Sequence, residues 1–163
     1  MLALAVLGVV IVVGAVAYVT QPASDEAPLF TLTDIDGNEC TLSAWRGKVV
    51  VLDFFATWCG PCEPELVHLA ELYETYSSNE AHIVSVSVDP AHDTVERLHQ
   101  FRVSHAVSWT IVRDTASVSN QYNIEYIPTL VIVDQSGRIR YRHVGLTPAS
   151  ELSSEIDTLL EGG

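Results

Sequence analysis

Basic residues are scarce in this chain. Eight lysines and arginines stand against 21 acids, the formal net charge is −13, and Lys48 is the sole lysine. A surface of that sign repels nucleic acid and anionic membrane surfaces, so nucleic acid is excluded as an expected partner. Two readings of the acidity stay open: an ordinary acidic domain, or an adaptation to high salt. No basic residue precedes Arg46. The positive leader of a secretory signal peptide is therefore missing, and a positive-inside count has almost nothing to count. Cysteine is nearly absent as well, with only Cys40, Cys59 and Cys62. A structural zinc site needs four ligands. There is no second Cys-x-x-Cys, and the six histidines show no ligand pattern, so no metal is expected. No repeat is visible, and 48% hydrophobic residues exclude a disordered tail.

Charge is missing entirely from Leu2 to Val19, LALAVLGVVIVVGAVAYV. As a helix this run would be about 27 Å long, near the hydrocarbon thickness of a bilayer. It has no polar stripe of the kind a soluble helix carries. The choice lies between a membrane anchor and a cleaved signal. Ala15-Val16-Ala17 offers a cleavage pattern, and the missing basic leader favours the anchor. No cysteine follows closely enough for lipid attachment. The short N-terminus and the acidic flank, Asp25 and Glu26, favour a domain outside the cytoplasm, which is the expected orientation. The expected organisation is an anchor over 1–19, inserted through 2–19, a small, polar, proline-bearing linker over 20–28, TQPASDEAP, and one domain over 29–163.

Within that domain, LFTLTDIDGNECTL reads as a hairpin turning at Asp36-Gly37-Asn38. VVVLDFFA is an apolar run broken by one acid, which suits a central strand. Pro61 to Tyr76 carries Leu66, Leu69, Leu72, Tyr73 and Tyr76 at helical spacing. AHIVSVSVD is the next strand, Asp93 is placed to cap a helix over Thr94 to Phe101, and WTIV is a brief strand. A short helix over 116–122, the strands PTLVIVD and IRYRHV around Gly137, and a helix over 148–160 complete the chain. Alternating strands and helices predict an α/β fold with a mixed sheet.

The chemistry sits in FFATWCGPCEPE, residues 54–65. A disulfide staple across so short a loop would contribute little, because closing longer loops constrains the unfolded chain more. A redox couple has a physical basis. The thiolate is the attacking species, and a free thiol has a pKa of about 8.5. At a helix N-terminus it meets unpaired N–H groups and the positive end of the helix dipole, and both lower its pKa. The strand followed by the Pro61–Tyr76 helix puts Cys59 at that junction. Pro61 suits the first turn because it needs no donor there. Cys62 then lies one turn further on. Cys59 is thus expected as the exposed nucleophile and Cys62 as the shielded resolving thiol.

LDFFATWCGPC resembles the thioredoxin signature, and Ile127-Pro128-Thr129 resembles that fold's cis-proline loop. The L-S-x-W-R-G-K segment before the first core strand, Glu65 three residues after Cys62, and SVSVD followed by an inserted helix resemble the membrane-anchored TlpA/ResA-like thiol–disulfide oxidoreductases. The resemblance covers about residues 28–161. It implies a thioredoxin fold, a mixed central sheet flanked by helices, with an N-terminal β-hairpin and an inserted helix. It implies a Cys59–Cys62 redox disulfide with no other cofactor, and a client groove beside Trp58, Gly60, Pro61, Ile127 and Pro128. Protein disulfides are the implied substrates, apocytochrome c among them, with a membrane electron donor to recharge the pair. Asp53 stands where thioredoxin has a buried aspartate, while the TlpA/ResA-like branch more often has asparagine. Burial would raise its pKa, and it is expected to take the Cys62 proton. Glu65 matches the branch's active-site acid and is expected to be the wetter of the two. Glu63 and Pro64 depart from the branch's usual pattern.

The leading expectation is a protein-disulfide reductase. An oxidase or isomerase would use the same pair in the opposite sense. A copper-handling protein on this fold would want wider cysteine spacing and a placed histidine. Trp58 is read as a lid beside the disulfide, Cys40 as a spectator thiol, and Arg138, Arg140 and Arg142 as a solvated edge face.

Overall fold

The computed structural model describes residues 25–76 and 79–162. The 2–19 run and most of the linker lie outside them. Among the described residues no helix is long and apolar enough to cross a membrane.

The chain opens with a hairpin of β1 (Thr31–Thr33) and β2 (Glu39–Thr41), with Leu32 opposite Cys40. Its turn is held by Asp34, whose carboxylate accepts from the backbone N–H groups of Asp36 and Asn38 and from the Asn38 amide. Gly37 sits at φ +90°, a conformation open to glycine at little cost. A short 3-10 turn over Leu42–Trp45 leads to β3 (Val49–Phe55), whose residues are all buried. Then come α1 (Glu63–Thr75), β4 (Ala81–Ser87), α2 (Val95–Ser104), β5 (Thr110–Arg113), α3 (Val118–Gln121), β6 (Thr129–Val133), β7 (Ile139–Val144) and α4 (Ala149–Glu161).

The main sheet has the order β5-β4-β3-β6-β7. β3, β4 and β5 run parallel, and β6 and β7 are antiparallel to their neighbours. This is the expected mixed sheet. Because strand side chains alternate between faces, β3 divides its residues between two apolar layers. Val49, Val51 and Phe55 join Leu66, Leu69 and Leu72 of α1, Leu98 and Phe101 of α2, and Leu152 and Ile156 of α4. Val50, Leu52 and Phe54 join Val118, Tyr122 and the hairpin residues Phe30, Leu32 and Cys40. Both Cys59 and Cys62 belong to the first layer.

The end of the expected linker is docked on the sheet. Ile139 N–H donates to Asp25 O, Ala27 N–H donates to Gly137 O, and Ala27 is buried. Asp93 does not cap α2. Thr94 is the cap, accepting from Arg97 N–H at 3.2 Å. Both residues favour helix starts, and the fold uses Asp93 elsewhere.

Candidate active site

The site is built at the end of β3, the central strand. After Phe55 the backbone turns, with Cys59 N–H donating to Ala56 O, and Cys62 N–H donating to Cys59 O at 2.9 Å. Gly60–Cys62 is a 3-10 turn, and α1 begins only at Glu63. This corrects the expectation of an α-helix from Pro61. Cys59 is extended (φ −83°, ψ 94°) and lies ahead of the tighter turn that often precedes an α-helix. Cys59 and Cys62 form a disulfide, S–S 2.06 Å with Cα atoms 5.3 Å apart. Neither sulfur residue is open: Cys59 is 6% exposed and Cys62 2%. Cys59 is the outer of the two but less exposed than the sequence suggests, because the loop folds back onto the core layer. Gly60 and Pro61 are exposed on the outer rim. A Cβ added at Gly60 would meet no atom within 4 Å, so the absent side chain leaves that rim open.

Asp53 lies beneath this turn on the same strand, at a position whose alternation matches Val51 and Phe55 and thus the cysteine layer. It is 1% exposed, as expected, and burial pushes its carboxyl up to about 7, with the Glu65 charge adding to the rise and the Ser85 hydrogen bond opposing it. Ser85 Oγ donates to Asp53 Oδ2 at 2.7 Å, and Trp109 Nε1–H donates to Ser85 Oγ at 2.8 Å. The indole can only donate, so it commits the serine proton to Asp53 Oδ2. Asp53 Oδ1 is buried with no partner and is the oxygen left to gain or lose a proton.

Glu65 is also buried, at 1% exposure, which corrects the expectation of a wetter acid. The cause is the loop after β7, whose Thr147 N–H donates to Glu65 Oε2 at 3.0 Å. Desolvation raises its carboxyl, while the Thr147 bond and the nearby His68 and His143 work the other way. Two buried carboxyls, close enough for the Glu65 charge to raise Asp53, therefore lie on the cysteine side of the sheet, and each raises the cost of a further negative charge nearby.

A second group of side chains grips the approach to Cys59. Asp93, fully buried, accepts from Thr57 N–H, Thr57 Oγ1 and Ser87 Oγ. Trp58 is 59% exposed, and its Nε1–H donates to Asp89 Oδ2 at 3.0 Å. The segment between β4 and α2 thus holds both residues before Cys59. Ser85, Ser87, Asp89 and Trp109 were not singled out from the sequence, and Asp93 only as a helix cap. The available signal was SVSV, whose serines fall on one strand face and meet Asp53 and Asp93.

The opposite rim is the Ile127-Pro128 loop, with a cis peptide bond as the resemblance implied. Ile127 packs against the layer that contains both cysteines. Gly145 N–H donates to Pro128 O, which ties this loop to the segment bearing Thr147. Tyr126 and Leu146 are exposed beside it. Cys40 is a buried free thiol in the hairpin, its pKa raised chiefly by burial. Arg138, just before β7, and Arg140 and Arg142 on it are exposed; Arg140 meets Asp134, and Arg142 donates to Tyr122 O. Among the described residues one histidine cluster forms, His143 with Glu151 and Glu155. The His143–Glu155 contact at 2.9 Å already supplies each with a partner.

A thioredoxin-like sheet carrying a Cys-x-x-Cys disulfide at the end of its central strand, opposite a cis-proline, defines a thiol–disulfide oxidoreductase whose redox couple is its own cysteine pair. Residues 23–142 match the AhpC/TSA family, and the chain belongs to that family. It is 34% identical over 134 residues to the thiol-disulfide oxidoreductase ResA of Geobacillus kaustophilus, covering 82% of this chain and 75% of that protein. It is 30% identical over 132 residues to the thioredoxin-like protein YneN of Bacillus subtilis, 81% of this chain and 77% of the other. Among solved structures it resembles a DsbE-type thiol:disulfide interchange protein of Chlorobium tepidum, with TM-score 0.75 and 28% identity over 86% of this chain and 99% of that one.

Proposed function

We propose that the protein is a reductant of protein disulfides, anchored by residues 2–19 with its domain outside the cytoplasm. The Cys59 thiolate attacks one sulfur of a client disulfide, and the client's other sulfur leaves as a thiolate and takes up a proton. Cys62 then gives its proton to Asp53 Oδ1 and attacks Cys59 Sγ. The second client thiol leaves, and the Cys59–Cys62 disulfide forms. Two electrons have passed from the protein to the client. Asp53 carries this reading, because a buried carboxyl held at about 7 can accept a proton near neutral pH. Glu65, buried beside it, is the secondary acid. Trp58, Gly60, Pro61, Ile127 and Pro128 form the client-facing rim.

The electrostatics support the reducing sense. Asp53 and Glu65 are buried near the pair, and Glu63 and Glu65 are the charged residues of the first turn of α1. Negative charge opposes a thiolate, and a less stabilised thiolate makes a more reducing couple. The resemblance to the TlpA/ResA-like branch supports apocytochrome c as client and a membrane donor as the source of electrons. Equilibrating the domain against glutathione buffers tests the direction. A potential near the thioredoxin value, about −270 mV, is expected. One near the protein disulfide isomerase value, about −180 mV, or higher would reverse the assignment toward oxidase or isomerase. A topology reporter fused after Ala27 tests the anchor. Reporter activity confined to the cytoplasm would exclude the orientation.

A further inference from the structure

We propose that the groove between Trp58 and α2 is a client subsite for a carboxylate, with Arg97 as its specificity-determining residue. This rests on the reading of the protein as acting on protein disulfides, and it adds which client segment is preferred: one with Asp or Glu close to the reacting cysteine.

The groove has a volume of about 380 Å³ and is lined by Thr57, Trp58, Arg97, Gln100, Phe101 and Ser104. The last four positions fall at i, i+3, i+4 and i+7, so one face of α2 supplies a whole wall. The facing wall is held in place: Thr57 is bonded to Asp93 through both its N–H and its hydroxyl, and the Trp58 indole is bonded to Asp89. Trp58 is the residue next to Cys59, so a chain segment joined to Cys59 in a mixed disulfide passes this groove.

Charge selects the occupant. Of the seven arginines, Arg46, Arg102 and Arg140 pair with acids. Arg113 and Arg142 donate to backbone carbonyls, and Arg138, exposed just ahead of β7, does not line this groove. Arg97 is exposed, its guanidinium has no partner among the described residues, and it is the one charged side chain lining the groove. The acids that hold the facing wall are already engaged, Asp89 by the Trp58 indole and His92 and Asp93 by Thr57 and Ser87. In a protein of net charge −13, an unpartnered cation in the groove of Trp58, the neighbour of Cys59, is a place where an acidic client segment meets attraction rather than repulsion. Guanidinium recognition of a carboxylate is geometrically favoured, and the Gln100 amide on the same face adds a further donor.

The test uses three disulfide-bridged peptides that differ only in the residues flanking one cysteine, Glu, Gln or Lys. Second-order reduction rates are measured for the wild-type protein and for Arg97→Gln, Arg97→Glu and Arg138→Gln, each divided by the rate with an uncharged small disulfide. The wild type is expected to favour the Glu peptide over the Gln peptide by roughly threefold at low salt, the scale of a partly exposed ion pair. Arg97→Gln abolishes that preference and Arg97→Glu inverts it toward Lys. Arg138→Gln removes the same unit of charge elsewhere and keeps the preference. An absent preference in the wild type, or one that survives in Arg97→Gln, overturns the proposal. Failure of the wild type to reduce even the uncharged disulfide would instead refute the reductase reading. Binding of Ser-for-Cys versions of the peptides, followed by the Trp58 indole N–H resonance, then decides the subsite independently of electron flow. Weaker binding of the Glu peptide to Arg97→Gln than to wild type supports it, and equal binding overturns it.

Discussion

Replacing Asp53 by Asn should make the protein more stable, and the gain should depend on pH in a direction set by burial. In the fold this carboxyl sits at about 7, against 3.8 for the unperturbed group. Its ionised form therefore costs about 4 kcal/mol more in the folded protein than in the unfolded chain. The folded state holds a proton that the unfolded chain releases first. Stability is thus unaffected by this group below about pH 3.8, falls as the pH rises, and levels off above about pH 7. Asparagine is neutral throughout, and its amide oxygen still offers an acceptor to Ser85 Oγ. Urea denaturation of the oxidised forms at pH 4 and pH 8 measures the difference between variant and wild type at each pH. That difference should grow by about 4 kcal/mol across the window, a large share of the 5–15 kcal/mol typical of a domain. The same substitution should slow resolution of the Cys59 mixed disulfide at pH 7 by about 100-fold, the lower end of what general-base catalysis contributes. A difference that stays flat, growing by less than about 1 kcal/mol, would show that Asp53 is not held protonated and would remove it as the base.

The remaining expectations concern its neighbours. Glu65→Gln should lower the pH at which Asp53 titrates in the fold, because the Glu65 charge raises that carboxyl; the check is an Asp53→Asn difference that starts to grow at the same pH but levels off at a lower pH and a smaller value when both proteins carry Glu65→Gln. Its effect on resolution should be smaller than that of Asp53→Asn, since Glu65 Oε2 is occupied by Thr147 N–H, and single-turnover kinetics compare the two. Asp93→Asn should cost about 2–4 kcal/mol in urea denaturation, because an amide N–H₂ would face the buried Thr57 or Ser87 donors. It should also change the rate at which reduced Cys59 is alkylated, whereas Ser87→Ala, which removes one of three donors to Asp93, should cost about 1 kcal/mol.

The fold was legible where the chain alternates or repeats with a strong apolar period. VVVLDFFA reads as a central strand because a strand covered on both faces needs apolar residues at every position, and β3 is buried throughout. IRYRHV reads as an edge strand for the opposite reason, since its exposed positions follow period two. The cysteine pair and cis-proline were legible through a resemblance that also placed Asp53. Helix ends were less legible. Asp93 and Thr94 are both good caps, and nothing local separates them; the choice was made by Thr57 and Ser87, which reach Asp93 from 36 and 6 residues away.

Glu65 shows why burial in the site was not legible. On a helical wheel it is a charged residue near the start of α1, where a carboxylate is favoured by the dipole and ordinarily solvated. What covers it is the segment after β7, brought to it across 82 residues of sequence. The same holds for Asp53, whose proton location depends on Ser85 and Trp109. In each case the acid's environment is supplied by side chains or backbone donors from a different strand or loop. Local pattern could therefore identify the titrating groups but not how they titrate. The serines of SVSV are the exception. Two polar residues at period two inside an apolar parallel strand have to be satisfied by something on that face. The acid at the matching register of the neighbouring strand, Asp53 opposite Ser85, is the partner that strand pairing supplies.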